Sequence, residues 1–199
     1  MFNDSLNDEL KKVLAGKAFD NGLVCACEQS IIAPEAELNR YRTALKELDA
    51  EIINDAGTLK QMEDVLFSGG SISKDAVGQD AQKLAQMTGL AISSTCRVLV
   101  VEPKTWGQGQ VWSKEKMFPV LAFYGYATWE QAIEIARENL QVEGIGHSVS
   151  VHSFNSDRIL EVGLKLPVSR VLVNQNSATN AGGTMFNGPN PTTTLGCGT

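Results

Sequence analysis

The sequence predicts an α/β domain: a largely parallel sheet flanked by helices. Two observations carry this expectation. Residues 97–102 and 119–124 each hold a continuous apolar run, as strands buried on both faces do. Around them lie segments with apolar residues at helical spacing, and alternation of strand with helix is the pattern of a parallel sheet.

The elements follow in chain order. Residues 4–18 read as a helix with Leu6, Leu10, Val13 and Leu14 on one stripe, Ser5 and Asp8 as a capping pair, and Gly16 weakening its end. Residues 28–33 read as a short strand. Pro34 then opens a helix reaching about Leu48, with Leu38, Tyr41, Leu45 and Leu48 in helical period. Residues 50–53 are extended. Residues 58–67 form a helix ended by Gly69-Gly70, and residues 76–87 form another, stopped by Gly89. After the strand at 97–102, Pro103 breaks the chain into a Gly- and Gln-rich loop over 104–111. The strand at 119–124 precedes a helix over 129–140 capped by Thr128. A strand at 148–152, a helix at 156–166 and a strand at 168–173 complete the pattern. Residues 174–199 are rich in Asn, Gly, Thr and Pro, lack apolar periodicity, and read as a long loop or tail. The expected division is a domain over 1–173 and this terminal segment over 174–199, with no internal repeat.

Composition narrows the function. With 43% hydrophobic and 20% charged residues among 199, the chain can bury a core as one large domain. A net charge of −6 and a pI near 5.0 argue against nucleic acid or an anionic membrane as partner. No apolar run approaches a membrane span of about 20 residues, and the polar start is no signal peptide. Four cysteines without disulfide-scaffold density fit a reducing, cytoplasmic setting.

The chemistry concentrates in Phe19-Asp20-Asn21-Gly22-Leu23-Val24-Cys25-Ala26-Cys27-Glu28-Gln29-Ser30. A turn signal, Asn-Gly, precedes two thiols one residue apart and an apolar run. A cysteine so placed can present its Sγ at a cleft, and a reactive thiolate needs a partly open, polarised site. On position alone, a buried inert thiol is the commoner reading. Cys27 reads as a structural neighbour. The Cys-x-Cys pair lacks a second pair or nearby His to complete a four-ligand metal set, so no metal site is expected. Gly69-Gly70 and Gly107-Gln108-Gly109 lack the strand–loop–helix setting and Lys-Ser/Thr of a phosphate loop.

The string F-D-N-G-x-x-C-A-x-E-Q resembles the nucleophile segment of the CoA-acylating branch of the aldehyde dehydrogenase superfamily. Gly22 keeps the glycine of that segment, while Leu23 stands where the hydrolytic enzymes usually carry Gln, which favours the acylating branch. Three further strings are similar to family motifs in the same order: Glu115-Lys116-Met117-Phe118-Pro119-Val120-Leu121, Ile145-Gly146-His147-Ser148, and Pro167-Val168-Ser169-Arg170-Val171-Leu172-Val173-Asn174. Residues 192–199 look like the start of a glycine-rich loop near the active site, with Cys197 a small packing residue.

The resemblance implies an aldehyde dehydrogenase-like catalytic domain, without the N-terminal cofactor domain of longer family members. It implies an oxidoreductase converting a small aldehyde, coenzyme A and NAD or NADP to an acyl-CoA through a cysteine thioester. Cys25 is then the nucleophile, its backbone N–H one oxyanion donor, and Glu115 the contact to the nicotinamide ribose. His147 becomes a possible auxiliary group, a base for CoA attack; the competing reading is a turn histidine satisfied by backbone groups. The family is homo-oligomeric, and the part of its oligomerisation arm that lies N-terminal is expected to be missing here. Two other functions stay open: an inactive remnant that only associates, and a thiol acyl carrier or esterase-like protein without redox chemistry.

Overall fold

A computed structural model describes residues 2–192, with side chains from residue 6 onward. The Ser5 cap and Cys197 therefore lie outside the described residues, as does the glycine-rich loop beyond Thr192.

The main sheet has four parallel strands, β1 (Ser30–Pro34), β2 (Glu51–Ile53), β5 (Leu99–Val101) and β6 (Val120–Tyr126), in the order β1-β6-β5-β2. Period-2 alternation sends their side chains to two cores. Val98, Val100, Leu121 and Phe123 join Leu10, Val13 and Leu14 of α1 (Phe2–Ala18) and Ala44 and Leu45 of α2 (Leu38–Glu47) on one face. Leu99, Val101, Val120, Ala122 and Tyr124 meet Met62 and Leu66 of α3 (Ala56–Leu66), Leu84 of α4 (Ala81–Thr88) and Ile135 of α5 (Trp129–Glu143) on the other. Leu99, Val100, Val101, Leu121 and Ala122 are wholly buried, which accounts for their continuous apolar run.

A second, two-stranded parallel sheet pairs β7 (Ser148–Val151) with β8 (Arg170–Val173) across α6 (Ser156–Lys165). The sheet expected from the sequence is thus two sheets, since β7 and β8 pair with each other and not with β1. One face of this ribbon, with Val149, Val151, Val171 and Val173, packs on Ile133, Val162 and Leu166. The other face presents Leu172 to Ala26 and Ala181. Strand parity places Ser148, Ser150 and Leu172 on that same side, toward the cysteine segment.

Some boundaries differ from expectation for local reasons. The chain after Pro34 enters α2 through a 3-10 turn, Glu35–Glu37. The helix expected from residue 76 starts at Ala81: Gly78 has φ +71° and donates its N–H to Met117 O at 2.8 Å, and Asp80 then caps by accepting Lys83 N–H at 2.7 Å. Gly89, at φ 69°, closes α4 as expected. Gly69-Gly70 turns a small hairpin of β3 (Phe67–Ser68) with β4 (Ser71–Ile72). Within the segment read as loop or tail, Asn176 caps a short α7 (Ser177–Asn180). No helix among the described residues is long and apolar enough to cross a membrane.

Candidate active site

The cysteine segment leaves α1 through a 3-10 turn, Phe19–Gly22, in which Asp20, Asn21 and Gly22 all have positive φ (48°, 50° and 76°). Asn21 and Gly22 are residue types that tolerate this region. Gly22 also lies against the backbone: an added Cβ would sit 2.8 Å from Phe118 O. Asn21 Nδ2 donates to Gly78 O at 3.0 Å and pins the turn to the loop before α4. A second turn follows at once, with Cys27 N–H donating to Val24 O at 2.8 Å. Cys25 is thereby lifted to the crest of the turn and exposed, while Ala26 faces inward against Leu172 and Ala181.

Beneath the crest lies a polar floor. Cys27 is buried, its Sγ 3.4 Å from Lys17 Nζ and 3.4 Å from Gly22 O. Lys17 and Lys116 are fully buried. Lys17 Nζ donates to Lys116 O at 2.7 Å and to Gln29 Oε1 at 3.2 Å, and Gln29 Oε1 also accepts Lys116 N–H at 2.8 Å. Lys116 Nζ donates to the carbonyls of Trp112 and Lys114, both at 2.8 Å. Burial lowers the Lys17 and Lys116 amines and raises the Cys27 thiol. Burial thus outweighs the attraction between Lys17 and Cys27, and Cys27 is held as a thiol, the less nucleophilic form. Lys17, at the end of α1, and Gln29 and Lys116, each within a quoted motif, are the floor members that the sequence reading did not single out.

A cleft of about 800 Å³ opens beside the turn, lined among others by Cys25, Glu28, Glu115, His147, Ser148 and Ser177. The three residues singled out from sequence, Cys25, Glu115 and His147, therefore border one space. Glu115 is half-buried and its N–H donates to Glu143 Oε2 at 2.9 Å. Its carboxylate oxygens have no hydrogen-bond partner among the described residues, and burial raises its pKa. Such a carboxylate fits the vicinal hydroxyls of a ribose.

Glu28 was not foreseen as a site residue, although it stands in the quoted motif three positions after Cys25. Its Oε1 accepts Ser177 N–H at 2.5 Å, while Oε2 is buried without a partner among the described residues. Burial pushes its carboxyl up to about 7. Gly16 makes room for it, since a Cβ there would lie 2.1 Å from Glu28 Oε2. Ser177 Oγ in turn meets Ser148 Oγ at 2.8 Å, and Ser148 Oγ meets His147 Nδ1 at 3.1 Å. His147 Nε2 is buried with no hydrogen-bond partner among the described residues. Burial, then the nearby Arg170, hold the His147 imidazole below its usual pKa. The competing expectation, a turn histidine satisfied by backbone groups, does not match the ring: its Nδ1 partner is a hydroxyl. The other histidine, His152, pairs through Nδ1 with Glu9. Among the described residues, no cluster of three His, Cys, Asp or Glu could hold a metal ion.

No protein-family model matches the chain. Individual proteins do. It is 40% identical over 192 residues to the succinate-semialdehyde dehydrogenase (acetylating) of Clostridium kluyveri, covering 96% of this chain and 42% of that protein. It is 31% identical over 197 residues to the sulfoacetaldehyde dehydrogenase (acylating) of Cupriavidus necator, covering 98% and 40%. Among solved structures, an acetylating aldehyde dehydrogenase from Geobacillus thermoglucosidasius superposes with a TM-score of 0.90 at 30% identity, over 97% of this chain and 42% of that one. A probable aldehyde dehydrogenase from Listeria monocytogenes gives 0.89 at 35% identity over the same shares. The chain spans about two-fifths of the length of the curated relatives it matches. By sequence and by fold, the relatives of this chain are acylating aldehyde dehydrogenases, and it matches about two-fifths of each.

Proposed function

We propose that this chain supplies the thioester-forming portion of an NAD(P)-dependent, CoA-acylating aldehyde dehydrogenase. The observation that carries the reading is the placement of exposed Cys25 on a two-turn crest, beside a cleft that Glu115 and His147 also line. In this reading the Cys25 thiolate adds to the carbonyl carbon of a small aldehyde, and the carbonyl oxygen takes the negative charge. The Cys25 backbone N–H, oriented by the turn, donates to that oxygen. Nicotinamide, when bound, supplies the hydride acceptor, and Glu115 holds its ribose. The acyl group is left as a thioester on Cys25. The sulfur of coenzyme A then attacks that carbonyl, the bond to Cys25 breaks, and acyl-CoA leaves with the thiolate regenerated. The reduced thiols of Cys25, Cys27 and Cys96 suit the cytoplasmic setting this chemistry needs.

The test uses an activated acyl ester, because acyl transfer needs no nicotinamide. Intact mass is followed for wild type, Cys25→Ala and Cys27→Ala. The expected result is a single adduct lost only in Cys25→Ala; an adduct of equal extent in that variant overturns the reading.

A second reading is association without catalysis. Phe154 is 91% exposed, and Leu160 and Leu164 on α6 are 62% and 76% exposed, an apolar surface of the kind that marks contact with another chain. On this reading the surface carries self-association of the chain. Sedimentation as a monomer, with no binding of an apolar dye, would count against it.

A further inference from the structure

We propose that Cys27 is a positioning residue: its side chain braces the crest that carries Cys25, so that the Cys25 backbone N–H stays aligned with the oxygen of the acyl group. This deepens the reading above and rests on it.

Cys27 reaches back across Cys25 twice. Its backbone N–H donates to Val24 O at 2.8 Å, and its Sγ lies 3.4 Å from Gly22 O. The carbonyl can only accept, so an S–H directed at it makes the second contact a bond. Together the two contacts close residues 22–27 into a loop with Cys25 at its outer bend. Among residues 21–30 only Cys25 is exposed. Val24 and Ala26, on either side of it, pack toward Leu172 and Ala181.

The sulfur is itself held from below. Gln29 Nε2 lies 3.3 Å from Cys27 Sγ and Lys17 Nζ lies 3.4 Å from it. The far end of the Gln29 amide sets its orientation: Oε1 accepts the Lys116 N–H at 2.8 Å and a Lys17 Nζ proton at 3.2 Å. Cys27 is 4% exposed and so closed to an aldehyde or ester; its contribution passes through Cys25. Acyl transfer places negative charge on the carbonyl oxygen. The Cys25 N–H meets that charge only if it keeps one arrangement with the sulfur that attacks. Alkylation of the same sulfur by iodoacetamide forms an S–C bond, releases iodide and creates no oxyanion. The brace therefore matters to acylation and not to alkylation.

The experiment compares two rates on the Cys25 peptide of the 199-residue chain at one pH. One is acetylation by p-nitrophenyl acetate, in which p-nitrophenolate leaves; the other is alkylation by iodoacetamide. Wild type, Cys27→Ala and Cys27→Ser are measured. Removing an oxyanion donor outright costs about 10²–10³-fold, so loosening one should cost about 10-fold in the acetylation rate of Cys27→Ala, with alkylation within about twofold of wild type. The adduct then forms more slowly but is not lost. Cys27→Ser keeps a donor and an acceptor and should recover most of the acetylation rate. Should Cys27→Ala not fold, Cys27→Val, which fills the space without a hydrogen bond, replaces it. Two rates that fall together, or an acetylation rate unchanged in the apolar variant, overturns the proposal. So does a Cys27→Ser protein no faster than the apolar variant. A wild type in which Cys25 alkylates but does not acetylate refutes the function reading, and the proposal with it.

Discussion

Replacing Glu28 by Gln removes a carboxyl that the fold disfavours in its charged form. Burial raises its pKa from 4.5 to about 7, a difference of about 2.5 units, or ~3 kcal/mol at 1.36 kcal/mol per unit. The folded chain holds the proton more tightly than the unfolded one. Glu28 therefore contributes its full stability below pH 4.5, and that contribution is lost as pH rises through about 7. Gln keeps the oxygen that accepts Ser177 N–H and does not ionise. The stability of Glu28→Gln relative to wild type should thus rise by about 2.5 kcal/mol between about pH 5 and about pH 8. Urea unfolding of both proteins at the two pH values measures this, and taking the difference cancels other titrating groups. A difference that is the same at both pH values would refute the burial argument. So would a variant that loses stability, relative to wild type, as the pH is raised.

Two glycines make sharper tests of packing around the turn. Gly22→Ala forces a side chain onto φ +76° and a Cβ to within 2.8 Å of Phe118 O; a loss of about 1–3 kcal/mol in urea unfolding is expected, with slower acylation of Cys25. Gly16→Ala would gain up to ~1 kcal/mol from helix propensity alone. Here its Cβ would displace the Glu28 carboxyl from 2.1 Å away and forfeit the Ser177 bond, at about 1–3 kcal/mol. The single change should therefore destabilise, yet stabilise when made in a Glu28→Ala background, as a double-mutant cycle will report.

The sequence made the main sheet legible because β5 and β6 are buried on both faces and so are apolar throughout. The Cys25 turn was legible because positive φ demands residues such as Asn21 and Gly22. The split into two sheets was not, since a strand's period does not name its partner. The start of α4 was misplaced because Gly78 is held by Met117, far along the chain. The chain of contacts from His147 through Ser148 to Ser177 was the least legible part. Ser148 and Ser177 are ordinary polar residues 29 positions apart, and only the pairing of β7 with β8 and the tie from Glu28 bring them together. Lys17 and Lys116 are lysines, a residue type seldom fully buried, and nothing in their local sequence marks them as buried.

The central claim is that Cys25 exchanges an acyl group with coenzyme A, and the reverse half-reaction tests it most directly. The chain is incubated with acetyl-CoA, and intact mass is followed by peptide mapping. The account predicts one acetyl group on Cys25, removed by excess free CoA and absent from Cys25→Ala. No transfer, or acetylation spread over exposed lysines and undiminished in Cys25→Ala, would contradict it.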